Sequence, residues 1–175
     1  MPDPRERTPA YLSYRLMLFS LAAVQTVSAA TTHLLFDLYS YPPSASLIPE
    51  LRDEVLEVLK EDGGNWTMRG LNKMVKLDSA IRESMRLSCF GTRGCTRRVA
   101  KEGGITLSNG LWVPNGTTLT TPQWSIHHDE DVYPQANEFI PFRFYDMAQA
   151  QESARKSMVT TSPEFLAFGH GKHAW

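Results

Sequence analysis

The chain has 175 residues, enough for one domain or a piece of a larger one, and its 42% hydrophobic, 21% charged composition is that of a packed globular core. Wholesale disorder and collagen-like repeats are thereby excluded. The 18 Lys+Arg against 19 Asp+Glu leave a net charge of -1, which excludes a strongly basic nucleic-acid binder at the level of the whole chain. Cys89 and Cys95 can close one bridge at most, and they lack the C-x-x-C spacing of a zinc knuckle or redox pair.

In chain order, the first element is an uncharged run from Leu16 to Phe36. Its length suits a membrane span, although Ser20, Gln25, Thr26, Ser28, Thr31, Thr32 and His33 are a heavy polar load for one. A secretory signal cut near Ala29 is a second reading, with Arg5, Arg7 and Arg15 ahead of the apolar stretch. A long helix buried on all sides, its polar residues turned toward a site, is the third. Tyr41-Pro42-Pro43-Ser44 then breaks the helix. Residues 47–62 form an amphipathic helix with Ile48, Leu51, Val55, Val58 and Leu59 on one stripe, stopped by Gly63-Gly64-Asn65. A further helical stretch runs over 67–87. Over 105–113, Ser108-Asn109-Gly110 between two short apolar runs predicts a β-hairpin, because Asn-Gly accepts positive φ. From Pro122 onward the chain reads as loop, with Pro134, Pro141 and Pro163 and little periodicity. The fold class is mainly α with a small β region, an α+β chain with no linker that would mark a second domain.

The candidate chemistry is scattered. Glu83 and Arg86 share a helix face and can pair, a contact that contributes only about 0.3–0.5 kcal/mol when solvated. Arg143 stands alone among Phe139, Phe142, Phe144 and Pro141, where a guanidinium needs a partner or an aromatic surface to lie on. Phe168-Gly169-His170-Gly171-Lys172-His173 is a glycine-punctuated basic loop able to approach a flat ligand. As a metal pair His170 and His173 lack a second ligand pair, so no metal ligand is assigned. His127 and His128 read as packing or surface histidines.

Together and in this order, these segments resemble the cytochrome P-450 family of haem-thiolate monooxygenases, in particular its fungal secondary-metabolism members. Leu21-Ala22-Ala23-Val24-Gln25-Thr26 is similar to the oxygen-activating stretch of the family's central helix, which assigns 16–36 to that helix. Glu83-x-x-Arg86 is similar to its Glu-x-x-Arg helix, Phe142-Arg143-Phe144 to the segment that completes a Glu-Arg-Arg triad, and Phe168-Gly169-x-Gly171-x-His173 to the start of its haem-binding loop. The resemblance implies one partial domain over 1–175, from the central helix to a truncated haem loop within 139–175.

It also implies roles. Thr26 would act in oxygen activation, with Gln25 at the proton-relay position. Glu83, Arg86 and Arg143 would form a structural triad, and Arg97, Phe168 and His173 would surround haem. The family's axial cysteine would fall at Trp175, whose indole N–H is a donor only, and Cys89 and Cys95 lie too far back to replace it. The expectation is a fragment, inactive as written, of an enzyme that oxidises a terpenoid, polyketide or indole-derived metabolite. The resemblance further implies an NADPH-dependent flavoprotein reductase as partner and attachment to the endoplasmic reticulum. The rival readings are a non-catalytic remnant and a small secreted or membrane-tethered protein. An exposed 16–36 helix would favour aggregation.

Overall fold

The computed structural model describes residues 4–150, 156–172 and 174. After a 3-10 turn at Pro4–Arg7, α1 runs from Pro9 to Ser40. Thr8 caps it by accepting a hydrogen bond from the Tyr11 amide (3.3 Å), and Pro9 stands at its first position, where a missing N–H costs nothing. The helix stops at Ser40, directly before Tyr41-Pro42-Pro43. Its one buried residue is Leu38. Leu16, Met17, Phe19, Val24 and Val27 are each more than half exposed, so burial on all sides is not what these residues experience. The reason is positional, because the helices Ser44–Glu61 and Val75–Leu87 pack near its carboxyl end. Leu34, Leu38 and Tyr41 meet Leu47, Leu51, Leu77, Ala80, Phe139 and Phe142 there in a small core.

The next helix, α2, spans Ser44–Glu61 and begins slightly ahead of the apolar stripe. Gly63 and Gly64 end it with φ of 67° and 80°, the Gly64 amide reaching back to the Leu59 carbonyl at 2.8 Å. The stretch 67–87 is not one helix. It divides into α3, Met68–Leu71, and α4, Val75–Leu87. Thr67 caps α3 through the Gly70 amide (2.9 Å). The amino end of α4 is capped from outside. Glu54 of α2 accepts the Lys76 and Leu77 amides at 2.8 and 2.9 Å, so a carboxylate satisfies donors that a continuous helix would have used internally.

β1 (Gly94–Arg98) pairs antiparallel with β4 (Thr118–Thr121), matching Arg97 with Leu119. The register slips between Gly94 and Arg97, where Cys95 takes φ of 51°. Nested between these strands is the hairpin of β2 (Ile105–Thr106) and β3 (Trp112–Val113), closed at Gly110 with φ of 84°. The loop-like stretch after Pro122 contains two short helices, α5 (Gln123–His127) and α6 (Arg143–Ala150). Each is too short to show a helical period, and the neighbouring prolines mask both. The architecture is mainly α with a small β region.

Candidate functional site

On α4 the buried face carries charge. Arg82, Glu83 and Arg86 are 2%, 0% and 0% exposed. Glu83 accepts two parallel bonds from Arg86, Nε to Oε2 and Nη2 to Oε1, both 2.9 Å. Its Oε1 also accepts Arg143 Nε at 2.9 Å and the Ile140 amide at 3.2 Å. One carboxylate thus faces two guanidinium groups. The second positive charge is spread over backbone carbonyls: Arg143 donates to Pro134, Gln135 and Glu138, and Arg86 to His127, Ala136 and Glu138. Apart from the Arg86 bond to His127, these donors hold the segment 134–140 in a fixed path. A buried ion network of this kind fixes geometry more than it adds net stability.

Arg82 lies on the same helix with no carboxylate at ion-pair distance among the described residues. Its guanidinium sits 4.0 Å from the Phe165 ring centre and 4.6 Å from that of Phe144, and Nη1 donates to the Lys156 and Ser157 carbonyls. Burial pulls its pKa down from the ordinary arginine range. His127, fully buried, contacts both α4 and the loop that follows. Burial lowers its pKa to about 4, against the raising effect of its bond to the Arg86 carbonyl. Burial likewise raises Tyr133 to about 12, its hydroxyl donating to the Glu164 carbonyl at 3.0 Å. On the other side of α4, Ser84 donates to Asp37 of α1 at 2.5 Å; desolvation nonetheless raises the Asp37 pKa.

These contacts support one wall of a cavity of about 340 Å³. It is bounded by Thr26 of α1, Phe90, Cys95, Thr96 and Arg97 at β1, and the turn Ala167–His170. The Thr26 hydroxyl donates to the Ala22 carbonyl at 2.6 Å within its own helix. Arg97 is exposed at the edge, with Nη1 on the Thr96 carbonyl at 2.8 Å. Phe168 belongs to a turn closed by the Gly169 amide on the Leu166 carbonyl (2.8 Å). Gln25 is exposed and does not line the cavity. His173 and Trp175 lie outside the described residues.

The structure thus brings Glu83, Arg86 and Arg143 into one cluster, and Thr26, Arg97 and Phe168 onto one cavity. Sequence reasoning passes over Arg82, Phe90 and the two-sided contacts of His127. Arg82 carries no local signal, because its partners Phe144 and Phe165 are remote in sequence.

The Cytochrome P450 family profile matches residues 4–174. The chain belongs to the cytochrome P450 family. It is 42% identical over 159 residues to cytochrome P450 monooxygenase 71 of Postia placenta, an alignment covering 91% of this chain and 30% of that protein. It is 39% identical over 186 residues to cytochrome P450 monooxygenase gloP of Glarea lozoyensis, covering 98% and 34%. A third relative, a cytochrome P450 monooxygenase (terK) of Tolypocladium album, is 38% identical over 172 residues, covering 97% and 32%. The chain therefore spans about a third of the length of these curated relatives.

Haem is the cofactor that membership in the P450 family implies. The residues along the cavity have chemistry that suits such a group. Arg97 offers a guanidinium to carboxylates, Phe168 an apolar surface, and Gly169, at φ 73°, leaves the loop backbone open to close approach. Cys95 carries the one sulfur among the residues lining the cavity, and it lies on the strand that carries Arg97, apart from the glycine turn.

Proposed function

We propose that this chain supplies the oxygen-activating helix, the structural triad and the haem-loop wall of a monooxygenase that oxidises a secondary-metabolite skeleton. The observation that carries this reading is the shared cavity of Thr26 and the Phe168–Gly169 turn, with Arg97 at its edge. Haem, when bound, supplies the one-electron and dioxygen chemistry that no side chain of this site has. Thr26 is the hydroxyl on this wall that can release its helix carbonyl, hydrogen-bond a small polar molecule and pass on a proton. Gln25, an exposed amide, cannot supply that proton itself. Arg97, and His173 by resemblance, pair with the cofactor's carboxylates. Glu83, Arg86 and Arg143 act at a distance by fixing the segment 134–140. Substrates of the terpenoid, polyketide or indole-derived class and an NADPH-dependent flavoprotein reductase complete the reading.

Residues 1–175 taken alone carry Trp175 where the resemblance puts a thiolate, so this polypeptide is expected to be inactive by itself. A haem titration followed by reduction under carbon monoxide tests both parts. Saturable uptake should weaken about ten-fold in Arg97→Ala, from loss of a charge-assisted contact, and stay unchanged in Arg52→Ala. No thiolate-type Soret band should develop. Uptake indifferent to Arg97 and Phe168 sinks the cavity assignment, and a stoichiometric thiolate-type band sinks the claim of inactivity.

A second reading, a small membrane-tethered protein, is favoured by one observation: α1 is long and apolar enough to cross a membrane by length and composition. Co-flotation of the chain with neutral lipid vesicles, resistant to high salt, would support it.

A further inference from the structure

His127 makes two hydrogen bonds whose roles its partners dictate. The Arg86 carbonyl can only accept, so Nδ1, 3.1 Å away, carries the proton. The Leu166 amide can only donate, so Nε2, 2.9 Å away, presents its lone pair. The ring is therefore neutral and in a single tautomer. A protonated imidazole would turn an N–H against the Leu166 N–H, and burial already holds the pKa near 4. The carbonyl it caps is one of those a helix end leaves unsatisfied, since α4 stops at Leu87. The link is reciprocal, because Arg86 Nη1 donates to the backbone carbonyl of His127. On its other side, Leu166 is held at its amide by His127 and holds Gly169 at its carbonyl. A short chain of bonds thus runs from the triad helix through one imidazole to the turn that carries Phe168.

We propose that His127 is a positioning residue: it transmits the placement of the Glu83–Arg86–Arg143 cluster to the Ala167–His170 wall of the cavity. The positioning stands on the geometry, whereas its use in cofactor binding rests on the functional reading above. The ring also stacks on Phe165 (centroids 5.5 Å apart, planes at 15°), so simple packing is the competing account.

Three substitutions separate the two accounts by amide hydrogen exchange on the full chain. His127→Phe keeps the stack and loses both bonds. His127→Asn places its amide near Nδ1 and keeps the Arg86 side alone. His127→Gln reaches the Nε2 position with an oxygen that can accept from Leu166. Exchange at the Leu166 and Gly169 amides should rise about ten-fold or more in the Phe and Asn variants, and return to within about two-fold of the original in the Gln variant. Full protection in His127→Phe overturns the proposal because the stack alone then suffices, and equal loss in all three variants overturns it because an acceptor returned to the Leu166 amide then restores nothing. Haem titration of the same samples keeps the readings apart. Exchange that follows the expected order without haem uptake in any sample removes the functional reading and leaves His127 in place. Haem uptake without that order does the reverse.

Discussion

Helices α4 and α1 invert the usual distribution of residues. On α4 the charged side chains of Arg82, Glu83 and Arg86 are 2% exposed or less, whereas on α1 Leu16, Phe19 and Val27 are 66%, 67% and 64% exposed. The difference lies in what each helix can reach. Partners for the α4 charges come from the same chain, on α6 and on the segments 134–140 and 156–166. Along the amino-terminal two-thirds of α1, beyond the turn Pro4–Arg7, the large apolar side chains have no such cover. Burial is thus decided by available partners rather than by residue type, and a charge with a full set of partners is a better core residue than a leucine with none.

The largest effect should come from breaking the α4 side. Glu83→Gln removes the one carboxylate facing two buried guanidinium groups and leaves both uncompensated. We expect a loss of about 3–5 kcal/mol, read as a collapse of the urea midpoint. The corresponding exposed pair, Lys73→Met against Glu61, should move that midpoint by less than about 0.5 kcal/mol. Comparable losses at the two sites would mean that the cluster is not the organising element of this half.

A pH titration sharpens the same contrast. His127 titrates near 6.5 when unfolded and about 4 when folded, so it is the unfolded chain that takes up a proton first as pH falls. Stability should be fully present above about pH 6.5 and decline toward pH 4, by on the order of 3 kcal/mol for this group. The neighbours in charge contact are Arg86, Arg82 and His128, all of the same sign as the incoming proton. Asp37 works the other way, because its raised pKa favours the folded state as pH falls, and it offsets part of the decline. In His127→Gln the slope between pH 6.5 and 4 should flatten. An unchanged slope would assign acid sensitivity to other groups.

The Glu83–Arg86 pair was legible in the sequence because its helical spacing is fixed, whereas joining Arg143 to it came from the family resemblance alone. The hairpin was legible because Asn109-Gly110 carries its own backbone preference. What escaped depended on distant partners. The division of 67–87 into two helices is set by Glu54, which no local pattern connects to Lys76. The helices α5 and α6 are shorter than the window in which a period becomes visible. His127 resembles any histidine until the Leu166 amide is placed against it.

A smaller effect tests the seam between the two helices. Ser84 donates to Asp37, and this is a side-chain bond joining α4 to α1. Ser84→Ala should cost about 1 kcal/mol and raise backbone exchange in the last turns of α1 while leaving the cluster protected. Loss of protection around Glu83 as well would mean that the cluster depends on α1.

The smallest effect on stability is expected on α1 itself. Phe19 and Val27 touch little of the rest of the chain, so the double substitution Phe19→Glu, Val27→Lys should change unfolding free energy by no more than about 0.5 kcal/mol. Its effect on association should be large. An apolar face of this length in water drives self-association or binding to lipid, and two charges on it oppose both. Light scattering should then show a shift from aggregate toward monomer at constant unfolding midpoint. A fall in the midpoint instead would show that these side chains stabilise the fold, and the contrast between a self-sufficient α4 and an unpartnered α1 would fail.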